Sequence, residues 1–147
     1  MTMNQTILVA EDCDDDAFLF RQAAARARQP HNLQFVHDGQ EAVEYLRGQG
    51  QFADRQRFPV PDLVVLDLKM PRMDGFECLE WIRSRPEFKG LKVVVLTGSI
   101  FPTDKPRAIG LGAKGVFVKP VWISELVDTV REIFHNFLRP NDNPQPS

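Results

Sequence analysis

Three carboxylates, a hydroxyl and an amine stand directly after four of the five short apolar runs in this chain. Glu11 and Asp12 follow Ile7–Ala10, Asp67 follows Leu63–Leu66, Thr97 follows Val93–Leu96, and Lys119 follows Val116–Val118. If the runs are parallel strands, their carboxyl ends share one edge of a sheet, which is where open α/β sheets bind ligands. Clustered carboxylates raise one another's pKa unless a cation relieves them. Oxygen donors without His or Cys favour a hard ion, and Mg²⁺ suits a site that keeps several waters. With Asp12 and Asp67 as ligands and Glu11 acting through water, Asp67 is set to attack phosphorus. Mg²⁺ and the Lys119 ammonium would then neutralise the equatorial oxygens, to one of which Thr97 could donate its hydroxyl.

The elements that must position these residues alternate regularly. The remaining apolar run is Leu33–Val36, and three of the five runs are continuous and β-branched, as strands covered on both faces are. Helical periodicity fills the gaps: Asp14 to Arg28, a stretch opening at Asp38, one following Asp74, and one from about Trp122 to Leu138. Asp38-Gly-Gln-Glu41 and Asp74-Gly-Phe-Glu77 resemble capping boxes. Pro106 suits the first turn of a short fourth helix stopped by Gly110 and Gly112. Five β-α units predict an α/β fold, a doubly wound five-stranded parallel sheet in the flavodoxin-like order 2-1-3-4-5.

Two segments lie outside that pattern. Gln49–Pro61 reads as a long polar loop with two prolines, and Arg139–Ser147 (RPNDNPQPS) as a disordered tail. A chain of 147 residues with 43% hydrophobic and 26% charged residues and a formal charge of −2 fits one globular domain. It offers no basic field for nucleic acid or membrane, no spanning segment and no signal peptide. Cys13 and Cys78 make no metal or redox pattern, so two reduced thiols and a cytoplasmic location are expected.

Several residues invite other readings. Asp14, Asp15 and Asp16 read as first-turn acids favoured by the helix dipole rather than metal ligands. Gly110-Leu-Gly112-Ala-Lys-Gly115 and Gly48-Gln-Gly50-Gln-Phe-Ala53 mimic dinucleotide fingerprints but follow helices, so they read as helix stops. His31, His37 and His135 are isolated and expected on the surface or in satisfied contacts. Apolar residues on the last helix exceed one core stripe, which predicts a homodimer through the face of Trp122, Phe134, Phe137 and Leu138.

The motifs ILVAED (7–12), VVLDLKMPRMDG (64–75), VVLTGS (94–99) and GAKGVFVKP (112–120) together resemble the receiver domain of bacterial two-component response regulators. The resemblance covers roughly residues 5–138 and implies the CheY-like fold, with residues 139–147 as a tail. It implies that Asp67 is the phosphoacceptor for a sensor histidine kinase. It also implies that Glu11 and Asp12 hold Mg²⁺ with Asp67 and the Lys69 backbone carbonyl. Thr97 and Lys119 would bind the phosphoryl group, and the peptide before Pro120 would be cis. The long loop and the lack of an output domain look most like single-domain regulators that partner phytochrome-type kinases, signalling by protein–protein contact and not as enzymes.

Two positions depart from that family's pattern. Val116 stands where the family carries a switch Tyr or Phe, and neighbouring Phe117 must face the other side of its strand. Lys69 and Ser99 occupy positions that tune hydrolysis of the acyl phosphate, Ser99 reading as a turn residue rather than a second phosphosite. Lys69→Ala is expected to change the dephosphorylation rate more than the phosphorylation rate, measured separately; equal changes would contradict this. Two competing functions remain. A haloacid dehalogenase-type phosphohydrolase needs an acid where Lys69 stands, and a receiver-like scaffold that no longer phosphorylates would leave Asp67, Asp12 and Lys119 without a job.

Overall fold

The computed structural model describes residues 5–27, 31–98 and 100–139. Five strands, β1 (Gln5–Ala10), β2 (His31–Val36), β3 (Leu63–Leu66), β4 (Lys92–Thr97) and β5 (Gly115–Val118), alternate with five helices. The helices are α1 (Asp14–Arg26), α2 (Gly39–Arg47), α3 (Gly75–Ser84), α4 (Asp104–Gly110) and α5 (Ile123–Phe137). The sheet is wholly parallel in the order β2-β1-β3-β4-β5, the flavodoxin-like arrangement expected.

The continuous apolar runs are explained by cover on both faces. Leu8, Ala10, Val64, Leu66, Val93 and Val95 pack with α2, α3 and α4, whereas Ile7, Val9, Leu63, Val65, Val94 and Leu96 pack with α1 and α5. Alternate residues of one strand thus serve different layers, and central β3 is apolar throughout until it ends at Asp67. That is why the chemistry sits at the ends.

Caps fix the helix starts. Asp74 accepts from the Glu77 backbone N–H at 2.9 Å while the Glu77 carboxylate accepts from the Asp74 N–H at 3.2 Å, a full capping box. At α2 only half the box forms: Asp38 accepts from the Glu41 N–H, but Glu41 reaches back to His37 instead. Gly48, at φ 67°, ends α2, so the glycine fingerprint there is a helix stop, as expected.

Three expectations are corrected. The peptide before Pro120 is trans, the isomer prolyl bonds favour by ~0.5–1 kcal/mol. The segment 49–61 is not merely polar. Phe52 and Phe58 pack on Tyr45, whose hydroxyl donates to the Pro59 carbonyl at 2.9 Å, while Arg55 donates to the Tyr45 and Leu46 carbonyls that end α2. The apolar face expected on α5 is only partly open to a partner. Phe134 and Leu138 are buried and Phe137 is half-buried, leaving Trp122 exposed, because α5 packs on both the sheet and α1. Finally, α1 stops at Arg26; the expected end at Arg28 lies outside the described residues, as do Ser99 and residues 140–147 of the expected tail.

His31 departs from expectation too. Among the described residues both ring nitrogens are buried without a hydrogen-bond partner, and the ring lies 4.4 Å from that of Phe134. Burial lowers its pKa, so the folded chain refuses a proton that the unfolded chain accepts. This penalty is absent well above the unfolded pKa of ~6.5 and grows as pH falls below it. Thermal melts from pH 7.5 to 5.0 are expected to show a loss of stability that His31→Leu makes shallower. An unchanged slope in the variant would contradict this.

Candidate functional site

The carboxyl ends of β1, β3, β4 and β5 bring Glu11, Asp67, Thr97 and Lys119 into direct contact. Backbone bonds set the geometry. The Asp67 N–H donates to the Ala10 carbonyl at 3.1 Å, the Glu11 N–H to Val36 at 2.9 Å, and the Lys119 N–H to Thr97 at 2.8 Å. Each strand thereby hands its first post-strand residue to the neighbour's last carbonyl. Behind the acceptor loop, the Gly75 N–H donates to the Leu68 carbonyl at 2.9 Å.

Asp67 is 6% exposed, and both of its oxygens are engaged. Oδ1 accepts from Thr97 Oγ1 at 2.9 Å and from the Lys69 N–H at 3.3 Å; Oδ2 accepts from Lys119 Nζ at 2.8 Å. The same ammonium donates to Asp16 Oδ2 at 2.8 Å and to Glu11 Oε1. Glu11 Oε2 accepts from the Cys13 N–H at 3.1 Å. One cation therefore ties three carboxylates together.

The charges respond accordingly. Burial, with added repulsion from Asp67, pushes the Glu11 carboxyl up to about 7, despite the opposing pull of Lys119. Burial also works against the Lys119 ammonium, yet its bonds to Asp16, Asp67 and Glu11 hold its pKa above the ordinary lysine value. Lys119 is thus a permanent charge aimed at Asp67, and the pocket retains more acid than one amine can balance.

Glu11, Asp12 and Asp67 each offer a carboxylate oxygen, and these oxygens lie within 4.8 Å of one another. Ligands on one Mg²⁺ at ~2.1 Å are at most ~4.2 Å apart, so a slight closing or a bridging water suits this set to a small divalent cation. Asp12 is exposed, at the mouth, whereas Glu11 and Asp67 are buried. Glu11 already spends both oxygens on Lys119 and Cys13, which fits an outer role through water.

The strand-end pattern points to Glu11, Asp12, Asp67, Thr97 and Lys119, which lie together here, but not to Asp16. Its signal was the i+4 spacing from Asp12 (one helical turn on), overshadowed by the run of three acids at the start of α1. Arg72 was missed as well. It adopts a left-handed backbone (φ 64°) in the loop after β3, and its Nε donates to Asp38 Oδ2 at 2.7 Å. That ion pair, with the Gly39 N–H bond to the Met73 carbonyl at 3.0 Å, ties the acceptor loop to the start of α2. The Lys69 ammonium does not turn toward Asp67: it sits 5.0 Å from the centre of the Phe101 ring. Val116 packs on the α2–α4 side of the sheet and Phe117 on the α5 side, 6.3 Å from Phe137, so Phe117 does not replace the missing aromatic.

Known proteins share this chain's fold and sequence pattern. The family model described as response regulator receiver domain matches residues 7–131. The chain is 33% identical over 144 residues to the probable methanogenesis regulatory protein FilR2 of Methanothrix harundinacea, covering 96% of this chain and 88% of that one. Several other curated matches are longer regulators, of which the chain spans 43% to 50%. Among solved structures, the phosphorylated cyanobacterial phytochrome response regulator RcpA aligns with a TM-score of 0.84 at 34% identity, covering 96% of this chain and 100% of that one. The Mn²⁺-bound form of response regulator Rcp1, a Synechocystis protein, aligns with a TM-score of 0.80 at 29% identity, covering 97% and 99%.

Proposed function

The chain belongs to the family of response regulator receiver domains, and we propose that its residues 5–138 act as a phosphoacceptor in a two-component relay. A histidine kinase, of the phytochrome-associated type, donates the phosphoryl group to Asp67. The observation that carries this reading is the pair of contacts on Asp67: Lys119 on one oxygen and Thr97 on the other. A carboxylate held in this way is oriented, desolvated and flanked by the two groups that phosphoryl oxygens would need.

In the transfer, an Asp67 oxygen forms a bond to phosphorus as the phosphorus–nitrogen bond of the kinase phosphohistidine breaks, and the imidazole leaves with the electron pair. Lys119 exchanges its bond to Asp67 for one to an equatorial oxygen, and the Thr97 hydroxyl donates to another. Glu11, Asp12, Asp67 and the Lys69 carbonyl would hold Mg²⁺, which supplies Lewis-acid stabilisation of the transferring group. Asp16 keeps Lys119 directed at the site throughout.

The mode of action is binding rather than turnover, since Lys69 stands where a phosphohydrolase would carry its acid-base residue. The output is a change of protein partners, and no nucleic-acid or membrane contact is part of this reading. Among the described residues no helix is long and apolar enough to cross a membrane. Val116 favours one variation: the phosphorylated state is reported without the inward aromatic that the family usually moves.

Phosphotransfer from an autophosphorylated phytochrome-type histidine kinase, followed with labelled phosphate, tests the proposal. Label is expected to pass to the wild-type chain in the presence of Mg²⁺ and not to Asp67→Asn. Equal labelling of both would contradict it.

A further inference from the structure

Lys69 stands two positions after Asp67 and lines one cleft with Asp12, yet among the described residues its ammonium forms no ion pair with either carboxylate. It rests on Phe101 instead, 5.0 Å from the ring centre. Phe101 is 60% exposed and its backbone is fixed: its N–H donates to Asp104 Oδ2 at 2.8 Å and its carbonyl accepts from the Asp104 N–H at 2.9 Å. Phe101 and Lys69 line one open cleft with Asp104, Asp74, Arg107 and Asp12, the last a member of the acid cluster. A four-carbon stem lets an ammonium swing from the ring toward the exposed Asp12 carboxylate that lines the same cleft.

The energies are close. An exposed ion pair contributes ~0–1 kcal/mol, and a cation over an exposed ring ~0.5–1 kcal/mol. Without the ring, an ammonium beside excess negative charge pairs with it. With the ring, the cation has an equal alternative that leaves the carboxylate oxygens open. We propose that Phe101 is a positioning residue for divalent-cation binding: it parks the Lys69 ammonium outside the Glu11–Asp12–Asp67 cluster, so that this side chain does not serve as an internal counter-ion in place of the metal. The proposal rests on the metal reading above and concerns affinity rather than the transfer step.

The experiment is Mn²⁺ titration of the full chain at low ionic strength, with free Mn²⁺ followed by electron paramagnetic resonance. Wild type, Phe101→Leu, Lys69→Gln and the double variant are compared. Phe101→Leu keeps apolar bulk at a largely exposed position, so it is expected to fold; it is expected to weaken Mn²⁺ binding by about two- to fivefold. Lys69→Gln alters only the side chain and keeps the backbone carbonyl, and it supplies the background in which the ring has no ammonium to hold. Adding Phe101→Leu to Lys69→Gln is expected to change nothing. In wild type the Lys69 side-chain methylene protons should carry an upfield ring-current shift by NMR that Phe101→Leu abolishes, which a merely structural role for the ring would not explain. Unchanged affinity in Phe101→Leu, or an equal loss in the Lys69→Gln background, overturns the inference while leaving the metal site standing. A wild type that binds no Mn²⁺ overturns the metal reading, and this inference with it.

Discussion

Replacing Lys119 with Met is expected to lower the stability of the metal-free protein by about 3–5 kcal/mol at pH 8, and millimolar Mg²⁺ is expected to restore much of the loss. The side chain of Lys119 is 16% exposed and those of Glu11 and Asp67 are 6% and 8% exposed. Removing the ammonium leaves two nearly buried carboxylates facing each other, with Asp16 beside them and no balancing charge. Met keeps the packing of the stem, which separates charge from volume. Because carboxylates can escape by taking up protons, the deficit should shrink as pH falls toward 5. Urea unfolding in EDTA and in Mg²⁺ measures both effects. A loss below ~1 kcal/mol, or a loss indifferent to Mg²⁺, would mean the amine is not the cluster's main counter-charge.

The second large effect is steric. A Cβ on Gly75 would lie 2.4 Å from the Asp67 carbonyl oxygen and 2.7 Å from Leu68 Cα, both backbone atoms that cannot swing aside. Gly75→Ala must therefore displace either the start of α3 or the segment that presents Asp67. A loss of about 2–3 kcal/mol is expected, in the upper range for overpacking. Mn²⁺ affinity should fall with it, since Asp67 and the Lys69 carbonyl move together. Gly90→Ala is the control, because a Cβ there meets nothing within 4 Å. Equal stability of the two variants in urea would show that the loop yields without resistance.

What the residues reveal in advance follows from where the physics is local. Runs such as Leu63–Leu66 announce a doubly covered strand because each residue must satisfy one of two apolar layers. Asp74 and Glu77 announce a helix start because both partners lie within one turn. The cluster is legible for a related reason: strand ends in a parallel sheet converge whatever the loops do.

What stayed hidden depends on distant partners. Asp16 looks like its neighbours Asp14 and Asp15 until β5 delivers Lys119 from more than a hundred positions away. Arg72 gives no sign of a left-handed backbone, which costs ~1–2 kcal/mol outside glycine and persists here beside the Asp38 ion pair. The width of the apolar arc on α5 suggested a partner surface because periodicity cannot tell a second helix of the same chain from a second chain. Phe52 and Phe58 sit among polar residues, so their packing on Tyr45 has no repeating signature.

The central claim is that Asp67 accepts a phosphoryl group. Its most direct test is the intact mass of the protein after incubation with acetyl phosphate and Mg²⁺, for wild type and Asp67→Asn. The wild type is expected to gain the mass of one phosphoryl group, the gain vanishing in EDTA and in Asp67→Asn. No gain in wild type, or the same gain in Asp67→Asn, would contradict the claim.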